Sequence, residues 1–230
     1  MSRYPSVIDE VATLQAVLDG SSLARFGDGE LNLARGLDIP CQRWSAGLQH
    51  RLMGILEDSG RCLVGIPNIH SATPKAVFWS KYLTLAPPLL ADREYVSAFI
   101  SRPDSAPWID TPVYWDALEM LWAGKDVTLV RGDSLKALSP IDLDSAKSIR
   151  TILVRKTNAF ACYDETLDLI GRPSGPVLLC AGPTATVLAV DLCARGVHAV
   201  DLGHVGVFLR KHRRGDMATS LTPAEKARDF

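Results

Sequence analysis

The chain has 230 residues, 47% of them hydrophobic and 22% charged, which is enough for one sizeable core or two small ones. Its 25 Lys plus Arg nearly balance 26 Asp plus Glu, and the net charge of -1 excludes a bulk electrostatic pull toward nucleic acid or anionic membrane. The opening residues carry Pro5, Asp9 and Glu10 in place of an apolar leader, and no stretch approaches the roughly 20 apolar residues of a spanning helix. Cys41, Cys62, Cys162, Cys180 and Cys193 are odd in number and scattered, without a metal-binding or disulfide spacing. A soluble protein of a reducing, cytoplasmic compartment is the expectation, with Cys62 and Cys180 as small core residues.

Helical spacing of apolar residues predicts a first helix over 7–18, and residues 22–26 then read as a short strand. A Gly-rich turn leads into a helix over 30–35, and a further helix is predicted over 48–56. Residues 61–66 read as a buried strand ended by Pro67. A helix is predicted over 75–84, and Pro87 and Pro88 forbid an ordinary helix interior after it. A strand over 95–100, a polar loop over 104–112 and a helix over 113–122 follow, with Trp115 and Trp122 on one face as core. Strands are then predicted over 126–130 and 149–154, with Asp142 and Asp144 on a solvated loop between them. A helix over 163–170, a strand over 176–180, a helix over 184–194 and a strand over 198–202 complete the pattern. Short apolar strands alternating with helices imply an α/β, Rossmann-like, mostly parallel sheet with helices on both faces. Residues 1–209 read as a single domain and 210–230 as a basic, polar tail. Its run Arg210, Lys211, His212, Arg213 and Arg214 reads either as a solvated end or as an edge facing phosphate or anionic lipid.

Ligands of open α/β sheets lie at the carboxyl ends of strands, and five polar turns fall there. The first is Arg25, Phe26, Gly27, Asp28, Gly29 and Glu30. Its glycines permit close approach, Asp28 and Glu30 offer hard oxygens to one divalent cation, and Arg25 offers a guanidinium to phosphate. The plainer reading is a turn with a capping Asp. The second is Gly182, Pro183, Thr184, Ala185 and Thr186, where a helix N-terminus suits a pyrophosphate and the two hydroxyls add donors, or where a strand simply turns into a helix. The third is Asp201, Gly203 and His204, with His204 as phosphate ligand or proton shuttle and Asp201 orienting its ring. Lys156 and Asn158 form the fourth, and Arg131, Asp133 and Ser134 the fifth. Each alone is an ordinary loop; the force of the reading is that all five would crowd one crevice.

The ordered set RFGDGE, TNAFACYDE, GPTATVLAVDL and DLGHVG, spread from about residue 23 to 209, resembles the bacterial GT-D fold glycosyltransferases. The resemblance implies that Asp28 and Glu30 are the family's DxE carboxylates, holding Mn2+ or Mg2+ against the diphosphate of a nucleotide sugar, with UDP as the expected nucleotide. It also implies that Asn158, the turn from Gly182 through Pro183, Thr184 and Ala185 to Thr186, and His204 line the donor site. An acid that some members carry after the Gly-His pair is missing, since Val205, Gly206, Val207, Phe208, Leu209 and Arg210 follow here. A glutamate-containing segment after the middle strand is replaced by Arg131, Gly132 and Asp133; if the lost acid is the base in relatives, this chain uses another group such as Asp133, has a different acceptor or mechanism, or is inactive. The expected partners are a nucleotide-sugar donor and a glycan or glycoconjugate acceptor, without nucleic acid; the basic run adds peripheral contact with the inner membrane face, and a homo-oligomer is compatible. A metal-dependent phosphoesterase and a non-catalytic nucleotide-sugar binding module are the rival readings.

Overall fold

The computed structural model describes residues 4–70, 73–74 and 76–216. Eight strands form one sheet in the order β1-β4-β3-β2-β8-β7-β5-β6. They are β1 (Val7–Ile8), β2 (Leu23–Arg25), β3 (Leu63–Ile66), β4 (Tyr95–Ser97), β5 (Asp126–Gly132), β6 (Ser148–Val154), β7 (Val177–Cys180) and β8 (Ala199–Asp201). Every pairing is parallel. The chain builds outward from β2 through β3 to β4, crosses to β5 and β6, and returns through β7 to β8. Strand order therefore reverses between β2 and β8, where Leu23 lies opposite Val200. That reversal opens a crevice beyond the carboxyl ends of the two strands.

Helix α1 (Glu10–Leu18) begins later than the 7–18 periodicity predicts, because Val7 and Ile8 are spent as an edge strand and Asp9 caps the helix through the Ala12 N–H at 2.8 Å. Two apolar residues ahead of a cap fit a helical and an extended reading equally well. Helix α2 (Asp28–Ala34) begins two residues earlier than predicted, so Asp28 and Glu30 stand in its first turn, where carboxylates suit the helix dipole. Helix α3 (Ala46–Glu57) is capped by Ser45. The helix predicted over 75–84 is two short pieces, α4 (Ala76–Ser80) and α5 (Tyr82–Leu85), with Lys75 outside the described residues. Strand β4 stops at Ser97, short of the predicted residue 100. Helices α6 (Pro112–Glu119), α7 (Tyr163–Ile170) and α8 (Pro183–Ala194) stand close to expectation.

The core is continuous through the sheet. Strand β7 is buried along its length, and α8 packs across β2, β7 and β8 with Ala185, Val187, Leu188, Ala189 and Leu192 sealed from solvent. Trp115, Trp122, Cys62 and Cys180 are core, as the pattern implies. A side chain such as Leu188, fully buried, contributes about 1.5–3 kcal/mol by leaving water. The run from Arg210 to Arg213 is not a loose tail: helix α9 (Val205–Arg213) carries it, and Lys211 is only 6% exposed. Asp142, expected on a solvated loop, is buried in a 3-10 turn (Pro140–Leu143) and takes an ion pair from Arg210. Among the described residues no helix is long and apolar enough to cross a membrane.

Candidate functional site

Arg25 ends β2 and lines the crevice, with its guanidinium engaged by the protein itself. Nη1 donates to the Ala98 carbonyl at 3.0 Å and to Ser101 Oγ at 2.6 Å, and Nη2 meets Asp201 Oδ1 at 3.2 Å. This explains why β4 ends early, because the chain after Ser97 turns to present those acceptors. Asp201, expected to orient the His204 ring, holds Arg25 and accepts the Gly203 N–H at 3.0 Å. Burial pushes the Asp201 carboxyl up, against the pull of Arg25. Gly203 is needed here twice over. Its φ is +51°, and a Cβ at this position would lie 2.2 Å from Arg25 Nη2.

The crevice has two adjoining lobes. The larger, about 400 Å3, is walled by Arg25, Gly27, Asp28, Gly29 and Glu30 on one side and by Trp79, Phe99 and Arg102 on another. Glu30 Oε2 accepts the Gly27 N–H at 2.7 Å. Burial, then Asp201 and Asp28, push the Glu30 carboxyl up to about 7, although the Gly27 hydrogen bond pulls the other way. The smaller lobe, about 140 Å3, is lined by Lys136, Arg155 and Lys156. Cys41, Gly182, Pro183, Gly203 and His204 line both lobes and mark their junction. The Cys41 thiol is pushed up to about 11 by burial and by Glu30 and Asp28, with Lys136 opposing. One lobe is thus rich in carboxylates and the other in cations.

Several predicted site residues do not reach this space. Phe26 is fully buried, because it follows Arg25 in an extended segment and faces the opposite way into the core. Thr184, Ala185 and Thr186 are likewise fully buried and line neither lobe; Thr186 Oγ1 donates to the Arg25 carbonyl at 2.9 Å, while Thr184 Oγ1 is buried without a partner among the described residues. At the start of α8, Pro183 has no N–H and the Ala185 N–H is used by the Gly182 carbonyl. What the α8 N-terminus offers is therefore chiefly its dipole and the tight Gly182 turn, with φ +56° and ψ −145°. Asn158 lines neither lobe. It sits at φ +54°, accepts the Arg43 N–H on Oδ1 at 2.7 Å and donates its own N–H to the Cys41 carbonyl at 2.8 Å, clasping the loop that walls the junction. Asp133 is exposed and lines neither lobe.

Sequence reasoning missed Lys136 and Arg102. Lys136 is only 7% exposed, and a lysine flanked by Leu135, Ala137 and Leu138 was the available sign. Arg102 follows β4 at the same sheet edge and makes a bidentate pair with buried Asp104, at 2.7 and 2.9 Å. Asp104, Asp28 and Glu30 hold its guanidinium firmly charged despite burial.

Residues 23–217 match the family model of the glycosyltransferase GT-D fold. The chain is 32% identical over 220 residues to the probable glycosyl transferase Gly of Streptococcus gordonii, covering 88% of this chain and 32% of that protein. It is 31% identical over 215 residues to glycosyltransferase GlyD of Streptococcus pneumoniae serotype 4, covering 86% and 26%. It therefore spans about a third or less of the length of these relatives. Among solved structures, domain of unknown function 1792, described as having a distinct glycosyltransferase fold, superposes with a TM-score of 0.83 at 30% identity, covering 94% of this chain and 84% of that one. A second, described as a new glycosyltransferase from Streptococcus sanguinis, gives 0.83 at 27% identity, covering 99% and 94%. With the family model spanning most of its length, this chain belongs to the GT-D fold glycosyltransferases.

Proposed function

We propose that the crevice transfers a sugar from a nucleoside-diphosphate sugar, with UDP as nucleotide, to a hydroxyl of a glycan or glycoconjugate acceptor. The observation that carries this reading is the joining of a carboxylate lobe to a cationic lobe at the point where the strand order reverses, in a chain of this family. Asp28 and Glu30 suit Mn2+ or Mg2+: both offer hard oxygens, and a carboxyl pushed up to about 7 by burial and neighbouring acids is one that a cation would relieve. Among the described residues no cluster of three or more such ligands exists, and a cation held by these two carboxylates would draw its other oxygens from substrate and water. When bound, the metal neutralises charge on the departing nucleoside diphosphate.

The protein's own contribution is electrostatic and positional. Lys136, Arg155 and Lys156 attract the diphosphate, and the α8 dipole adds to them. Arg25 keeps the Asp201–Gly203 turn fixed, so that His204 stands at the junction of the lobes. His204 is the group placed to take the acceptor proton; Asp133 is outside the lining.

Calorimetric titration of UDP with and without Mn2+, repeated on Asp28→Asn, tests the donor site. Mn2+-dependent binding lost in the variant is the expected result. Absence of binding to UDP and to other nucleoside diphosphates overturns it. Binding without transfer across a broad acceptor panel favours a carrier module, and phosphate release without acceptor favours a phosphoesterase.

A further inference from the structure

A third cavity, of about 320 Å3, lies beside the cationic lobe and shares Ser134 and Ala137 with it. Its lining contains three arginines, Arg131, Arg210 and Arg214, and no carboxylate. They come from two directions. Arg131 is the penultimate residue of β5, so the sheet edge that builds the crevice also places it here. Val207, Arg210 and Arg214 are spaced three and four apart along α9 and its C-cap, and so share one helix face.

The charges are unevenly satisfied. Arg210 pairs with buried Asp142. Among the described residues Arg214 pairs with exposed Asp216 at 3.1 Å, a contact worth little in water. Arg131 has no carboxylate partner among the described residues. Among the described residues its side chain makes one bond, from Nη2 to the Ser134 carbonyl at 3.0 Å, and its buried Nε meets no acceptor. A guanidinium takes up five hydrogen bonds when fully satisfied, and a planar pair of donors matches phosphate oxygens bidentately. The α9 dipole accounts for basic residues in its last turn but not for Arg131, which lies on a strand. The lining adds an exposed apolar side chain, Leu135, 62% exposed.

We propose that the cavity walled by Arg131, Arg210 and Arg214 is a second anion site, separate from the donor crevice, that holds a phosphoryl group of the acceptor. Assignment to the acceptor rests on the transferase reading; the anion site itself does not. A phosphoryl group seated here lies against the donor's cationic lobe, so an acceptor anchored by it reaches the lobe junction with its adjacent hydroxyls. The phosphoryl group is either that of a soluble sugar phosphate or that of a lipid headgroup, and exposed Leu135 suits the second.

The full chain is titrated with inorganic phosphate while the arginine Nε–H resonances are followed by NMR, and is then sedimented with phosphatidylcholine vesicles with and without phosphatidylglycerol. The double variant Arg131→Gln, Arg214→Gln is compared, leaving the Arg210–Asp142 pair intact. Phosphate is expected to shift the Arg131 Nε–H resonance, with affinity about tenfold or more lower in the variant and falling with salt. Vesicle binding that needs phosphatidylglycerol and is lost in the variant identifies a lipid source; phosphate binding without it identifies a soluble one. An unshifted Arg131 resonance, together with vesicle binding equal in both proteins, overturns the proposal. UDP binding with Mn2+ is measured on the same samples. It is retained in the variant if the two sites are separate, and its failure in wild type removes the donor reading while leaving the phosphate result standing.

Discussion

Replacing Gly203 with Ala sets two separable costs against each other. Holding a non-glycine residue at φ +51° costs about 1–2 kcal/mol. The added Cβ would also lie 2.2 Å from Arg25 Nη2, so the guanidinium must move. If it leaves Asp201, a carboxylate only 5% exposed loses its cation, which costs about 3–5 kcal/mol. The expected total is about 5 kcal/mol, a large part of the ~5–15 kcal/mol that holds an ordinary domain together. It corresponds to a fall of about 10–20 °C in Tm for a domain of this size. Urea unfolding at neutral pH followed by circular dichroism gives the free energy directly. Gly203→Asn separates the two costs, because Asn tolerates positive φ yet carries the same Cβ. A loss of about 3 kcal/mol or more in the Asn variant assigns the effect to Arg25. Losses below about 1 kcal/mol in both variants would refute the claim that this glycine exists to admit the guanidinium.

Glu30 gives a pH prediction in EDTA, where no divalent cation competes. Its folded pKa of about 7 lies above the ordinary 4.5, so its favourable contribution is fully present below about 4.5 and is lost as pH rises through about 7. Glu30→Gln, fixed in the neutral form, is expected to be the more stable protein above pH 7, with the difference closing below about 4.5; parallel denaturation curves across that range contradict it. Asn158→Ala removes the acceptor for the Arg43 N–H and leaves a non-glycine at φ +54°, a loss of about 2–3 kcal/mol. Asn158→Gly keeps the backbone freedom and should lose only about 1 kcal/mol, while UDP affinity falls in both because the loop carrying Cys41 loses its Arg43 tether, although the main-chain bond from residue 158 to the Cys41 carbonyl stays. Equal stability and equal UDP affinity in all three proteins would show that the clasp is idle.

The right half of the sheet was legible because β7 is an apolar run, Val177–Cys180, set between Pro176 and the Gly182 turn, and because β5 and β6, though interrupted by Thr and Arg, are rich in β-branched and apolar residues. Helix α7 begins and ends where its period does. The left edge was not, since β1 is two residues long and its apolar pair also fits the helical period of α1. In the site, Asp28 and Glu30 could be read from a strand, a Gly turn and two acids in register. Which neighbours face the crevice could not, because motif adjacency carries no direction: Phe26, Thr184 and Thr186 stand within the motifs yet point into the core. The cations were missed for the converse reason. Arg102, Lys136 and Arg155 lie in separate loops, and only the sheet brings them together.

The pairing of β2 with β8 joins residues far apart in the chain: Arg25 and Asp201 are 176 positions from each other. At about 5–20 residues per second, roughly 10–35 s of synthesis separate the two strands. Throughout that interval β2 is the open edge of a half-built sheet, the kind of template on which chains aggregate. Its brevity, Leu23–Arg25, limits that hazard. Until β8 arrives, Arg25 has no counter-charge from Asp201 and the crevice lacks one wall, so the site exists only once β8 has been made.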